Sequence, residues 1–122
     1  MNNYEFGKTG EQLAVDYLIK NGFTILDRNF RSGKFGEIDI IACENEYICF
    51  IEVKTRTSNL YGSPAEAVGF SKRQKIKSLA WIYLKQKGMG ERYMRFDIIE
   101  VTGSKTKEGF IPKNINLLRG AF

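Results

Sequence analysis

The sequence is poor in sulfur and has no imidazole: its 122 residues include two cysteines and no histidine. Without histidine, Ser-His-Asp and Cys-His triads, His-ligated zinc sites and His-based nuclease motifs are excluded. Cys43 and Cys49 are too few for a four-thiolate zinc site and do not form a C-x-x-C pair, so we expect two free, buried thiols in a reduced, cytoplasmic protein. Any catalysis must therefore use carboxylates, lysine, hydroxyl groups or a metal held by oxygen ligands.

Long apolar runs are also absent. None approaches the roughly 18 residues that a membrane span needs, and the first residues lack the layout of a signal peptide. We expect one domain over residues 1–122, because two domains of half this length would each lack an adequate core. Nineteen Lys and Arg against fourteen Asp and Glu give a net charge of +5, which favours anionic partners.

Apolar periodicity and turn residues predict the element order α-β-β-β-α-β-β. We expect a first helix over 4–20, followed by strands over 23–31, 37–42 and 47–54. A second helix should begin at a Ser63-Pro64 capping box, break near Gly69 and end at Lys87-Gly88. The last two strands are expected over 93–101 and 111–118. Trp81 lies one position from the apolar stripe of the second helix and is expected in the core. Pro112 favours a sheet edge. This order is typical of an α/β fold with a mixed central sheet flanked by helices.

The second and third strands carry charges at their outer ends. Alternate side chains of a strand share a face, so Glu52 and Lys54 point the same way. If the hairpin turns at residues 45–46, facing residue numbers sum to 91, which sets Asp39 opposite Glu52 and Glu37 opposite Lys54. Paired carboxylates repel unless a proton or cation lies between them, and oxygen ligands suit Mg²⁺ or Mn²⁺. From spacing alone, an exposed ion-pair network is an equally good interpretation.

Several sequence motifs point to one family. Asp39, twelve residues and then Glu52-Val53-Lys54 match the D-x(n)-E-x-K signature of PD-(D/E)xK nucleases. More specific words are Gly10-Glu11-x-x-Ala14, Asn29-Phe30-Arg31, GEIDIIA over 36–42, FIEVKTR over 50–56, Pro64-x-Glu66-Ala67-Val68 and Arg95-Phe96-Asp97. In this order they resemble the YraN-like family of small bacterial proteins, which is similar to archaeal Holliday-junction resolvases. The resemblance covers about residues 4–101.

The resemblance implies a restriction-endonuclease-like core, α-β-β-β-α-β, that binds Mg²⁺ or Mn²⁺ and hydrolyses DNA. The residues so assigned are Asp39 and Glu52 as metal ligands together with the Val53 carbonyl, Lys54 as catalytic lysine, and Glu11 and Gln74 as supporting groups. Glu11 would project from the first helix toward the site. The alternative for Glu11 is a helix-surface position beside a glycine that only permits close packing.

Basic residues near the motif predict a DNA-binding surface. They are Arg31, Lys34, Arg56, Lys72, Arg73 and Lys75. For those on the second helix, an ordinary solvated face is the alternative. We weigh three functions: a metal-dependent endonuclease acting on DNA, branched DNA included; a non-catalytic nucleic-acid-binding module with a nuclease-like fold; and a scaffold that binds an acidic protein through residues 72–77. Cutting a four-way junction would require a homodimer, joined at an uncovered edge strand, either 93–101 or 111–118.

Overall fold

The structure is a computed structural model and describes residues 1–57 and 68–122. Its elements are α1 (Asn3–Lys20), β1 (Thr24–Arg31), β2 (Glu37–Glu44), β3 (Tyr47–Arg56), α2 (Phe70–Gln86), β4 (Tyr93–Thr106) and β5 (Gly109–Leu118). The predicted order is confirmed. Strand β4 runs further than predicted, because its polar end continues to pair with β5 as far as Thr106 and Gly109. The predicted Ser63-Pro64 capping box lies outside the described residues.

The five strands form one mixed sheet in the order β1-β2-β3-β4-β5. Strands β3 and β4 are parallel, and their crossover connection contains α2, whereas the pairs β1·β2, β2·β3 and β4·β5 are antiparallel hairpins. The predicted α/β class is therefore confirmed. Strand β5 is an edge and carries Pro112, as expected. Strand β4 lies between β3 and β5, so the suggestion that it forms an uncovered edge is wrong.

The β2–β3 hairpin has the predicted register. Its pairs run from Ile40 opposite Ile51 to Glu44 opposite Tyr47, so facing numbers sum to 91. Asn45 adopts a φ of 54° in the two-residue turn. Asparagine tolerates this left-handed conformation better than most residues, which makes it suited to a tight hairpin.

Two apolar clusters cover opposite faces of the sheet. The cluster beneath α2 contains Ile48 and Phe50 of β3, and the cluster beneath α1 contains Cys49 and Ile51. Strand β3 is thus buried on both sides, as a central strand with helices over both faces must be. Continuing the alternation, Glu52 follows the α2 face, so the charges begin where the apolar core ends.

Trp81 is 59% exposed, so its predicted place in the core is wrong. The buried stripe of α2 includes Ala80 and Leu84, and one residue is about 100° of rotation around a helix. That single step turns Trp81 outward. Of the two free thiols, Cys49 is buried as expected, whereas Cys43 is only half-buried.

A buried ion network fixes the chain end to the sheet. Asp97 is fully buried and accepts hydrogen bonds from Arg95 Nε at 2.8 Å and from the Gly120 backbone N–H at 2.9 Å. Arg95 also donates to Glu44, and Arg119 donates to the same glutamate. The network therefore ties β2, β4 and the residues after β5 together. Among residues 1–57 and 68–122, no helix has the combination of length and hydropathy needed to cross a bilayer.

Candidate active site

A cleft of about 400 Å³ opens beside the end of the β2–β3 hairpin that is away from its turn. Its charged lining comprises Glu11 from α1, Glu37 and Asp39 from β2, Glu52 and Lys54 from β3, and Lys72 from α2. Val53 also lines it. Five residues assigned from the resemblance thus meet in one place. The sixth, Gln74, is exposed on α2, and it is not among the described residues that line the cleft.

Asp39 lies where the regular β2–β3 pairing stops. The last recorded pair is Ile40 with Ile51, and beyond it the backbone N–H of Val53 donates to Asp39 Oδ2 at 2.8 Å. A side-chain carboxylate thus takes the place of a backbone acceptor and is held against β3. Burial, and then the neighbouring charge of Glu52, raises the pKa of Asp39 to about 7. The predicted proximity of these two carboxylates is therefore present in the fold.

Glu52 is the most enclosed charge in the cleft. Its side chain is 3% exposed, and its Oε2 lies 3.1 Å from Lys72 Nζ. Its other oxygen, Oε1, is buried and has no hydrogen-bond partner within the described chain. Burial raises the pKa of Glu52, against the lowering effect of Lys72. A buried carboxylate oxygen left without a partner costs free energy, which a proton or a cation bound at this atom would offset.

The oxygen atoms around Asp39 fit a hard divalent cation. Asp39 and Glu52 supply carboxylate oxygens. The N–H and C=O of one strand residue point to the same side, so the Val53 carbonyl faces Asp39 together with its N–H. Carboxylate and carbonyl oxygens are the ligands that Mg²⁺ and Mn²⁺ prefer. The residues present therefore suit the metal that the family resemblance implies.

Lys54 follows Glu52 on the same face of β3 and is half-buried. Burial, and then the charge of Lys72, lowers the pKa of Lys54. A lysine with a lowered pKa spends more time as a neutral amine, which can accept a proton. Lys54 is thus a lysine of lowered pKa beside the carboxylates.

Asp39 also belongs to a group of three carboxylates. Glu11, Glu37 and Asp39 each place a carboxylate oxygen within 4.8 Å of the others. The amide of Asn29 joins the first two, because its Nδ2 donates to Glu11 Oε1 at 3.1 Å and to Glu37 Oε1 at 2.8 Å. Arg31 Nε also donates to Glu37. These carboxylates are therefore held in place by groups on β1.

Asn29 was missed by sequence reasoning as a site residue. It adopts a φ of 53° within β1, a conformation that costs most residues roughly 1–2 kcal/mol and that asparagine tolerates best after glycine. Residues with backbone strain of this kind are concentrated at functional sites. Two signals were available in the sequence: the Asn29-Phe30-Arg31 motif, and the presence of asparagine, an unfavourable residue, inside a predicted strand.

The Gly10-Glu11 pair combines a residue that lines the cleft with a glycine that packs closely against β3. Glu11 is only 14% exposed and lines the cleft, so it is not an ordinary surface residue. Gly10 also permits close packing, since a Cβ atom there would lie 1.8 Å from Thr55 Oγ1. The close approach of α1 to β3 is what brings Glu11 to the site.

The basic residues expected to bind DNA occupy different surroundings. Lys72 forms an ion pair with Glu52 in the cleft, and Arg31 forms one with Glu37. Arg56 Nε lies 3.4 Å from Glu100, and Arg73 Nε donates to the Val68 carbonyl. Lys34 and Lys75 are exposed. The helix-face alternative thus describes Lys75 but not Lys72.

Comparison with known sequences identifies one family. The profile described as "Uncharacterised protein family UPF0102" matches residues 10–101. The chain belongs to the UPF0102 family. It is 45% identical to a UPF0102 protein of Clostridium tetani over 124 residues, covering 100% of this chain and 98% of the relative. It is 44% identical to one of Acetivibrio thermocellus over 121 residues, covering 99% and 93%, and 46% identical to one of Clostridium botulinum strain Hall over 121 residues, covering 98% and 95%. The resemblance to small bacterial YraN-like proteins is confirmed.

Proposed function

We propose that this UPF0102 chain is a metal-dependent endonuclease that hydrolyses DNA phosphodiesters. The observation that carries the proposal is Glu52 Oε1 beside Asp39, a buried oxygen with no hydrogen-bond partner among residues 1–57 and 68–122, with Lys54 on the same strand face. A carboxylate pair that needs a cation, next to a lysine with a lowered pKa, is a set of groups suited to activating water against a phosphodiester. The net charge of +5 favours a polyanionic substrate.

Each residue of the site has a role in this proposal. Asp39, Glu52 and the Val53 carbonyl would hold Mg²⁺ or Mn²⁺, which when bound would supply polarisation of a phosphodiester oxygen and a lower pKa for a bound water. Lys54 accepts a proton from the attacking water or neutralises charge that develops on the scissile phosphate. Glu11 adds negative charge, which raises the pKa of Asp39 and would also attract a cation to the site.

Exposed basic groups outside the cleft would bind the rest of the substrate. Arg31, Lys34 and Lys75 point to solvent and can each contact a backbone phosphate. Branched DNA is one substrate class that fits the resemblance. Symmetric cutting of a four-way junction would require a homodimer, because each copy offers one carboxylate pair and the junction has twofold symmetry.

A second candidate function is a nucleic-acid-binding module without turnover. It is favoured by the contact of Lys72 with Glu52, which supplies a cation to the site without any metal. The two functions predict different consequences of removing Lys54.

The test is cleavage of supercoiled plasmid and of a four-way junction in Mg²⁺ and in Mn²⁺. Lys54→Ala should lower the cleavage rate by about two orders of magnitude or more, with most DNA affinity kept because many phosphate contacts share the binding. Lys20→Ala, at the exposed end of α1, is the matched control and should cleave like the native chain. A native protein that binds DNA but does not cut any of these substrates would favour the binding module.

A further inference from the structure

Lys72, in the first turn of α2, contacts the carboxylate site. Lys72 is the third residue of α2, and its Nζ lies 3.1 Å from Glu52 Oε2. The two side chains differ in exposure, at 46% for the lysine and 3% for the glutamate. Lys72 therefore reaches the glutamate from the solvent side of the cleft, and it can withdraw into solvent while Glu52 cannot.

The position of Lys72 on its helix is electrostatically unfavourable. The N-terminus of a helix carries a partial positive charge, and the first turn of α2 contains no acidic residue. Lys72 also lies beside Lys54, whose pKa its charge helps to lower. The compensating charges are on the other side of the cleft, in Glu52 and Asp39. The lysine is thus held at this place by the carboxylate pair.

A divalent cation and Lys72 are attracted to the same charge. Both are stabilised by Glu52, and both would lie within a few ångströms of Asp39, so they repel one another when present together. We propose that Lys72 is the counter-ion of Glu52 in the metal-free protein and that a divalent cation displaces its ammonium group toward the mouth of the cleft. The inference rests on the proposed function, since it assumes that metal binds at Asp39 and Glu52.

Displacement gives Lys72 a second role. Once released from Glu52, its ammonium group lies at the opening where a nucleic-acid phosphate would enter, and a phosphate oxygen is the natural new partner for it. Metal and nucleic acid then favour each other's binding, because the phosphate stabilises the lysine that the metal displaces. Linkage requires this effect to be reciprocal. Lys72 is in this sense a positioning residue that couples the two ligands.

The test measures Mn²⁺ affinity by calorimetry at pH 8, without and with a non-cleavable DNA duplex. Lys72→Met should bind Mn²⁺ at least about fivefold more tightly than the native chain when DNA is absent, and should lose most of the gain in affinity that DNA gives the native chain. Lys72→Arg, which keeps the charge, should behave like the native chain. Lys85→Met, in the exposed last turn of the same helix, is the control for loss of one positive charge.

Melting in EDTA provides a second readout. Lys72→Met should melt at a lower temperature than the native chain there, because Glu52 loses its partner, and saturating Mn²⁺ should remove that difference. Lys72→Gln repeats both measurements if the methionine variant folds poorly. Equal or weaker Mn²⁺ binding by the neutral variants overturns the role of Lys72 and leaves the proposed function standing. Failure of the native chain to bind Mn²⁺ would instead refute the metal site on which the proposed function depends.

Discussion

Replacing Gly10 with alanine should loosen the contact between α1 and β3. A Cβ atom at this position would lie 1.8 Å from Thr55 Oγ1 and 2.9 Å from Thr55 Cβ and Cγ2. Threonine is β-branched and stiff at χ1, and its Cβ is fixed by the strand, so rotation cannot clear the space. The helix must instead move away by about 1.5 Å to restore ordinary van der Waals separations.

The magnitude follows from two opposing effects. Alanine is favoured over glycine inside a helix by about 0.8–1 kcal/mol, whereas overpacking a close contact costs about 1–3 kcal/mol. Gly7 is the matched control, because it lies one turn earlier in α1 and a Cβ atom there meets nothing within 4 Å. Gly7→Ala should therefore gain stability, and Gly10→Ala should be less stable than Gly7→Ala by about 1–3 kcal/mol, or roughly 4 °C in melting temperature per kcal/mol.

Urea unfolding followed by circular dichroism measures both variants. The same Gly10→Ala variant should bind Mn²⁺ more weakly, because the displaced helix carries Glu11 away from Asp39. Adding Thr55→Ala removes two of the three clashing atoms and should restore much of the stability. Equal stability of Gly10→Ala and Gly7→Ala would refute the close packing on which this reasoning depends.

Three further predictions concern single side chains. Asn29→Ala should be less stable in urea than Asn29→Gly by about 1 kcal/mol, since only alanine is strained at a φ of 53°; equal values would contradict this. Because the pKa of Asp39 is raised to about 7, the fold binds its proton more tightly than the unfolded chain does, so metal-free stability should fall from about pH 4 to pH 7. In EDTA, the melting temperature of Asp39→Asn should fall less with rising pH than that of the native chain and should be the higher of the two at pH 8. The same pH dependence in both proteins would contradict this prediction. Arg95→Met should cost about 3–5 kcal/mol, because it strips a fully buried Asp97 of its ion pair, whereas Arg119→Met, at a half-exposed pair, should cost about 1 kcal/mol or less; equal losses in urea would contradict this.

The strand register was predictable because two independent signals agree on it. Alternating apolar residues assign each position of β3 to a face, and a short polar turn fixes which residues face each other. Together these two signals are enough to set Asp39 beside Glu52. The order of elements followed in the same way from periodicity and from the residues that end helices.

The partners of the carboxylates were not predictable, because they depend on how separate elements pack. The contact between Lys72 and Glu52 depends on the angle at which α2 crosses the sheet, which local periodicity does not determine. Asn29 takes its conformation in an irregular strand, where the β1–β2 register shifts between Ile25 and Asp27. Such a register shift cannot be predicted from the local sequence pattern.

The length of the hairpin turn at Asn45 determines which residues of β2 and β3 face each other, and so it keeps Asp39 opposite Glu52. Asp39 lies six residues before this turn residue, and Glu52 lies six residues after Glu46. Surface loops commonly accept insertions, but one added residue here would shift the pairing by one place and turn a strand's side chains to the opposite face. Asp39 and Glu52 would then no longer face each other. This tip, although it is exposed and far from the cleft, is therefore a poor place to insert an epitope, a linker or a fused domain.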